Sequence, residues 1–197
     1  MESYKSFLKD FEYKKGTLTV VTGLPGVGKS YFIENEVFNL IKNGVKVLYE
    51  NCDTPNYDVV MELFSIYYNK DIPSINYEEE IESIRNSPDT FFRNISFSSY
   101  PRDKVYEFIK DIDKNVSEHN LDVIVMDVSF TNDSDETIRL LREKAKELNV
   151  AIILTVYQPV ISRPHRDHIY TKMVWDNFID IKCTEDVLER KLLLSIE

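Results

Sequence analysis

Residues 23–30 read Gly-Leu-Pro-Gly-Val-Gly-Lys-Ser, and no other stretch constrains the fold of this chain as tightly. The spacing G-x-x-x-x-G-K-S suits a loop whose backbone N–H groups turn inward around an anion, with the N-terminus of the next helix adding to the field. Gly23, Gly26 and Gly28 permit the turn, Lys29 reaches the outer phosphates, and the Ser30 hydroxyl is a ligand for Mg2+. Such a loop needs a strand before it and a helix after it. Both flanks comply. Residues 17–22 are a β-branched run, and beyond Ser30 apolar residues fall at Phe32, Ile33, Val37, Leu40 and Ile41, which is helical spacing. The expected ligands are therefore ATP and Mg2+. The nucleotide-contacting set is Gly23, Leu24, Pro25, Gly26, Val27, Gly28, Lys29, Ser30 and Tyr31.

The rest of the chain alternates strand and helix patterns. Residues 45–49, 94–97, 122–126, 150–156 and 178–182 read as short buried strands, with a last one within 187–196. Residues 57–68, 103–116 and 133–148 read as helices, and a short helix is expected near 78–85 within a polar loop. Asp133 and Glu136 form a capping-box pair for the third of these. This order implies βαβ units and a mostly parallel central sheet with helices on both faces, an α/β fold. At 197 residues, without linker or repeat, the chain reads as one domain, with residues 1–15 as a short N-terminal extension.

A carboxylate at the end of a neighbouring strand should complete the metal site, and Asp127 follows the apolar run 121–126. Hydrolysis also needs an acid that orients water. Glu50 and Asp53 both follow the strand at 45–49, and spacing does not separate them. Gln158, after the most apolar strand, is placed to donate to a γ-phosphate and report its loss. The stretch 163–168, with Lys172, is the most basic of the second half, so Arg163, Arg166 and Lys172 are candidate contacts to nucleic-acid phosphates. A net charge of −10 excludes a generally basic nucleic-acid surface but not a few basic residues facing a channel. His165 and His168 have no third ligand for a metal. Neither a secretion signal nor an apolar run of membrane-spanning length is present, so no membrane partner is expected. The two cysteines, Cys52 and Cys183, lack metal-site spacing and fit a reduced compartment.

Residues 16–30 and, more selectively, 119–158 resemble the RecA-like ATPase domain of DnaB-type replicative helicases, including the helicase halves of phage and mitochondrial primase–helicases. The segment 144–150, Lys-Ala-Lys-Glu-Leu-Asn-Val, carries the resemblance best, and it extends over about residues 15–183. It implies a RecA-like P-loop NTPase fold and a cytoplasmic setting, in a bacterium or a phage-infected host. It also implies ATP hydrolysis on single-stranded DNA by a homo-oligomer, in the family a hexameric ring, with a replication or recombination partner protein. It aligns Asp53 with the family's catalytic glutamate, one methylene longer, and Gln158 with its phosphate-sensing glutamine. It sets the 159–175 loop facing DNA.

The chain departs from that family in having a short, acidic loop after Asp127 and no Lys-x-Arg finger on the expected late strand. A RecA-like accessory protein that uses ATP as an assembly switch is the alternative reading. A small-molecule kinase, with 159–175 as a lid, is a third.

Overall fold

Strand β3 (Leu18–Gly23) is buried along its whole length, as expected of a strand covered on both faces. The computed structural model describes residues 2–52, 54–86, 91–128, 134–157, 176–183 and 192–196. After β3 the chain runs through α1 (Lys29–Lys42), β4 (Val47–Asn51), α2 (Asn56–Tyr68), α3 (Tyr77–Asn86), β5 (Ile95–Ser98), α4 (Val105–His119), β6 (Val123–Asp127), α5 (Ser134–Leu148), β7 (Ala151–Tyr157), β8 (Asn177–Cys183) and β9 (Leu192–Ile196). Seven strands form one sheet in the order β5-β4-β6-β7-β3-β8-β9. Every pairing is parallel except β8 with β9. The mostly parallel α/β sheet expected from the sequence is the one observed.

Alternation along the strands divides the core in two. Val47, Tyr49, Val123, Val125 and Ile153 face α1 and α2, where Phe32, Ile33, Val37, Leu40 and Leu63 meet them. Leu48, Ile124, Met126, Ile152 and Leu154 face the other way, against Phe108 and Ile112 of α4 and Leu141 of α5. Because the strands run parallel, the ends of β3, β4, β6 and β7 share one edge, where ligands bind in open α/β sheets. The register aligns them: Gly23 pairs with Tyr157, and Asn51 with Asp127.

The short N-terminal extension expected at residues 1–15 carries structure of its own. Strands β1 (Ser3–Lys5) and β2 (Glu12–Lys14) form an antiparallel hairpin, and Tyr4, Phe11 and Tyr13 join the α1-side core. Helix α2 begins at Asn56, directly after Pro55. Strand β4 ends two residues later than the apolar run suggests, because Glu50 pairs with Ser98 and Asn51 with Asp127. The capping role of Asp133 lies outside the described residues.

Candidate functional site

Local geometry makes residues 23–30 a cradle. A side chain at Gly23 would bring Cβ within 2.6 Å of the Ile181 carbonyl oxygen and 2.8 Å of Val27 Cγ1, so only glycine lets the loop leave β3 beside β8. Gly28, with φ of 101°, turns the chain into α1 in a conformation that side chains disfavour. The helix start carries no side-chain cap and no acid in its first turn. A helix start of this kind presents its first N–H groups and positive dipole end to an external anion.

Lys29 is 8% exposed and folds back over the loop, its Nζ donating to the carbonyls of Gly23 (2.9 Å) and Leu24 (3.0 Å). Burial lowers its pKa, and the charge of Asp127 pulls the other way. Ser30 and Tyr31 are exposed, as are Leu24, Pro25 and Gly26, while Val27 and Gly28 are half-buried.

Asp127 stands at the end of β6 on the α1 side of the sheet. Thr155 Oγ1, one strand away, donates to its Oδ1 at 2.7 Å, and Tyr49 OH donates to its Oδ2 at 3.3 Å. Asn51, its register partner, closes the following turn: its Nδ2 donates to Thr54 O at 2.8 Å and its Oδ1 accepts from Thr54 N at 3.0 Å. Glu34, one helical turn beyond Ser30, is buried nearby. Burial, then the charges of Glu62 and Asp127, push its carboxyl up to about 8.

Glu50 is not brought to this face. It is fully buried on the α4 side, where Ser98 Oγ donates to Oε2 and Tyr100 N donates to Oε1 at 2.8 Å. Burial raises its pKa, and these two donors partly offset that. The strand extension described above is the cause, since it turns Glu50 into a strand residue whose alternation points away from Asp127. Asp53, Gln158, Arg163, Arg166 and Lys172 lie outside the described residues. Thr155, Tyr49 and Glu34 were missed in the sequence because each sits inside an apolar pattern that accounts for itself by packing; only the fold shows which end of a strand or helix meets the loop.

Among the described residues no three His, Cys, Asp or Glu side chains gather as a metal cage. No helix among the described residues is long and apolar enough to cross a membrane.

The architecture is the RecA-like P-loop fold, with β7 standing between the loop-bearing β3 and the strand of Asp127. A KaiC-like protein from the hyperthermophilic archaeon Pyrococcus horikoshii superposes with a TM-score of 0.67 over 99% of this chain and 87% of its own, at 20% identity. At that identity the likeness carries the fold, while the narrower helicase expectation gains nothing from it. No protein-family model and no curated sequence matches the chain.

Proposed function

We propose that this chain binds ATP with Mg2+ at residues 23–31 and hydrolyses it, acting as a small RecA-like motor on single-stranded DNA. The observation that carries the reading is the uncapped start of α1, with Lys29 folded inside the loop and Asp127 on the same sheet face. The loop N–H groups hold the phosphates. Lys29 leaves the Gly23 and Leu24 carbonyls for phosphate oxygens, an exchange of neutral acceptors for charged ones. Ser30 and Asp127 hold Mg2+, which neutralises charge on the outer phosphates. Asp53 orients the attacking water, and Gln158 reports the γ-phosphate to the 159–175 loop, where Arg163, Arg166 and Lys172 meet DNA phosphates. The working unit is a homo-oligomer, a hexameric ring in the DnaB-like arrangement, serving a replication or recombination partner protein.

A second reading has its own support. With Glu50 bound to Ser98 and Tyr100, the remaining acid for water is Asp53, shorter than the glutamate of the family it resembles. Weak hydrolysis suits an accessory protein in which ATP switches assembly. One experiment separates the two: the ATPase rate with and without single-stranded DNA, alongside mass by light scattering. A hexamer strongly stimulated by DNA supports the motor. A slow, DNA-indifferent ATPase supports the switch. Absence of ATP binding sinks both.

A further inference from the structure

We propose that Thr155 and Tyr49 are positioning residues that fix the carboxylate of Asp127 for the metal ion, one hydroxyl on each oxygen. The proposal rests on the ATP–Mg2+ reading of the site.

The geometry is specific. Thr155 Oγ1 has one proton and two acceptors in reach, Asp127 Oδ1 at 2.7 Å and the Met126 carbonyl at 3.4 Å. The shorter contact to the charged oxygen takes the proton. Tyr49 is fully buried, its ring is packed against Phe97, and its OH meets the other oxygen, Oδ2, at 3.3 Å. An ionised carboxylate offers about four lone-pair directions. Two are used by these donors, which come from strands on either side of β6. The remaining acceptor capacity is what a metal ion would use.

Two buried hydroxyls aimed at one carboxylate are more than packing requires. Valine at position 155 would fill the same space in the sheet, and phenylalanine at 49 would keep the ring. What the hydroxyls add is a fixed rotamer. Hydrogen bonds of this kind around a metal ligand are commonly worth ~10-fold or more in metal affinity.

The test compares ATP affinity by calorimetry in Mg2+ and in EDTA for the full chain, so that the ratio reports the metal alone. Thr155→Val should leave the EDTA affinity unchanged and reduce the ratio by about 10-fold, Thr155→Ser should restore it, and Tyr49→Phe should reduce it by a smaller factor, about 3-fold. A wild-type ratio in both Thr155→Val and Tyr49→Phe overturns the proposal. So does Thr155→Ser failing as badly as Thr155→Val, which would mark a packing effect. If Thr155→Val loses ATP in both solutions through misfolding, Tyr49→Phe decides alone. Wild-type protein that binds ATP equally well with and without Mg2+ removes the metal role of Asp127 and this inference with it. Wild-type protein that binds no ATP removes the function proposed above.

Discussion

The ammonium of Lys29 closes on the carbonyl oxygen of Leu24 at 3.0 Å, so the loop's own lysine occupies ground that a phosphate would contest. Exchanging two neutral carbonyls for anionic oxygens turns contacts between an ion and a dipole into contacts between opposite charges, which are stronger. Lys29→Ala should therefore weaken ATP binding by about 100-fold, as expected from loss of a charge-assisted contact in a mostly buried site. Leu24 is exposed and can turn its carbonyl to water, but the buried Gly23 carbonyl loses a donor, so the melting temperature should fall modestly. Calorimetric titration with ATP, read beside a thermal melt, checks both halves; retained affinity would remove the loop from the argument.

Acidic groups near the site set a pH dependence of stability. Glu34 is lifted to about 8 by burial and by Glu62 and Asp127, and Glu36 to about 7 by burial, partly offset by donors from Ser6 and Phe7. In the unfolded chain both carboxyls lose their protons near the ordinary value of 4.5. The folded state then holds protons that the unfolded state has released, so stability is fully present below about pH 4.5 and declines as pH rises towards 7–8. Glu34→Gln should flatten that decline and gain about 1–3 kcal/mol at pH 8. Melts from pH 5 to 8 on wild type and variant make the comparison; identical slopes would show that Glu34 is ionised in the fold.

The hairpin at the N-terminus is locked to the sheet by Asp122. Its carboxylate accepts from Tyr4 OH at 2.8 Å and Lys46 N at 3.0 Å, and pairs with Lys15 Nζ at 3.2 Å. Burial pushes the Asp122 pKa up, but the donors from Lys46, Tyr4 and Lys15 together win and leave it lowered. Asp122→Ala strands these donors in a part-buried place, and the cost should be about 2–4 kcal/mol. Trypsin should then cut earliest among Lys5, Lys9, Lys14 and Lys15. Cleavage elsewhere first would mean that the hairpin's aromatic residues and its hydrogen bonds to Glu36 and Asn39 hold it without Asp122.

How far the sequence could be read follows from where the signal lies. The loop at 23–30 and the apolar strands at 122–126 and 150–156 carry their structure locally, in glycine spacing and in β-branched runs. Asp127 was legible because it ends such a run. The hairpin was not: Ser3–Lys5 and Glu12–Lys14 are three residues each, with charged neighbours, and they are strands only because Tyr4 and Tyr13 bury against α1. Thr155 and Tyr49 were silent for a different reason. A β-branched residue and an aromatic in a buried strand are what packing alone predicts, and their hydroxyls gain a role only when the order β4-β6-β7 sets them on either side of Asp127.

Two acids compete for the water-orienting role, and the fold makes them respond differently. Glu50 is buried on the α4 side, accepting from Ser98 Oγ and from Tyr100 N. Glu50→Gln can keep its carbonyl oxygen on Tyr100 N and turn its NH2 to Ser98 Oγ, whose hydroxyl also accepts, so stability should change by less than about 1 kcal/mol. It should leave the ATPase rate per folded molecule within about twofold of wild type, since the side chain stays on the α4 side, away from the water. Asp53→Asn removes the only acid that follows Asn51 before α2. It should lower turnover by about 100-fold or more, the ordinary contribution of a positioned base, with ATP affinity unchanged. Steady-state rates and melts on both variants decide between the residues. A fast Asp53→Asn enzyme together with a dead but folded Glu50→Gln would reverse the assignment and require Glu50 to leave Ser98 and cross to the α1 side when ATP binds.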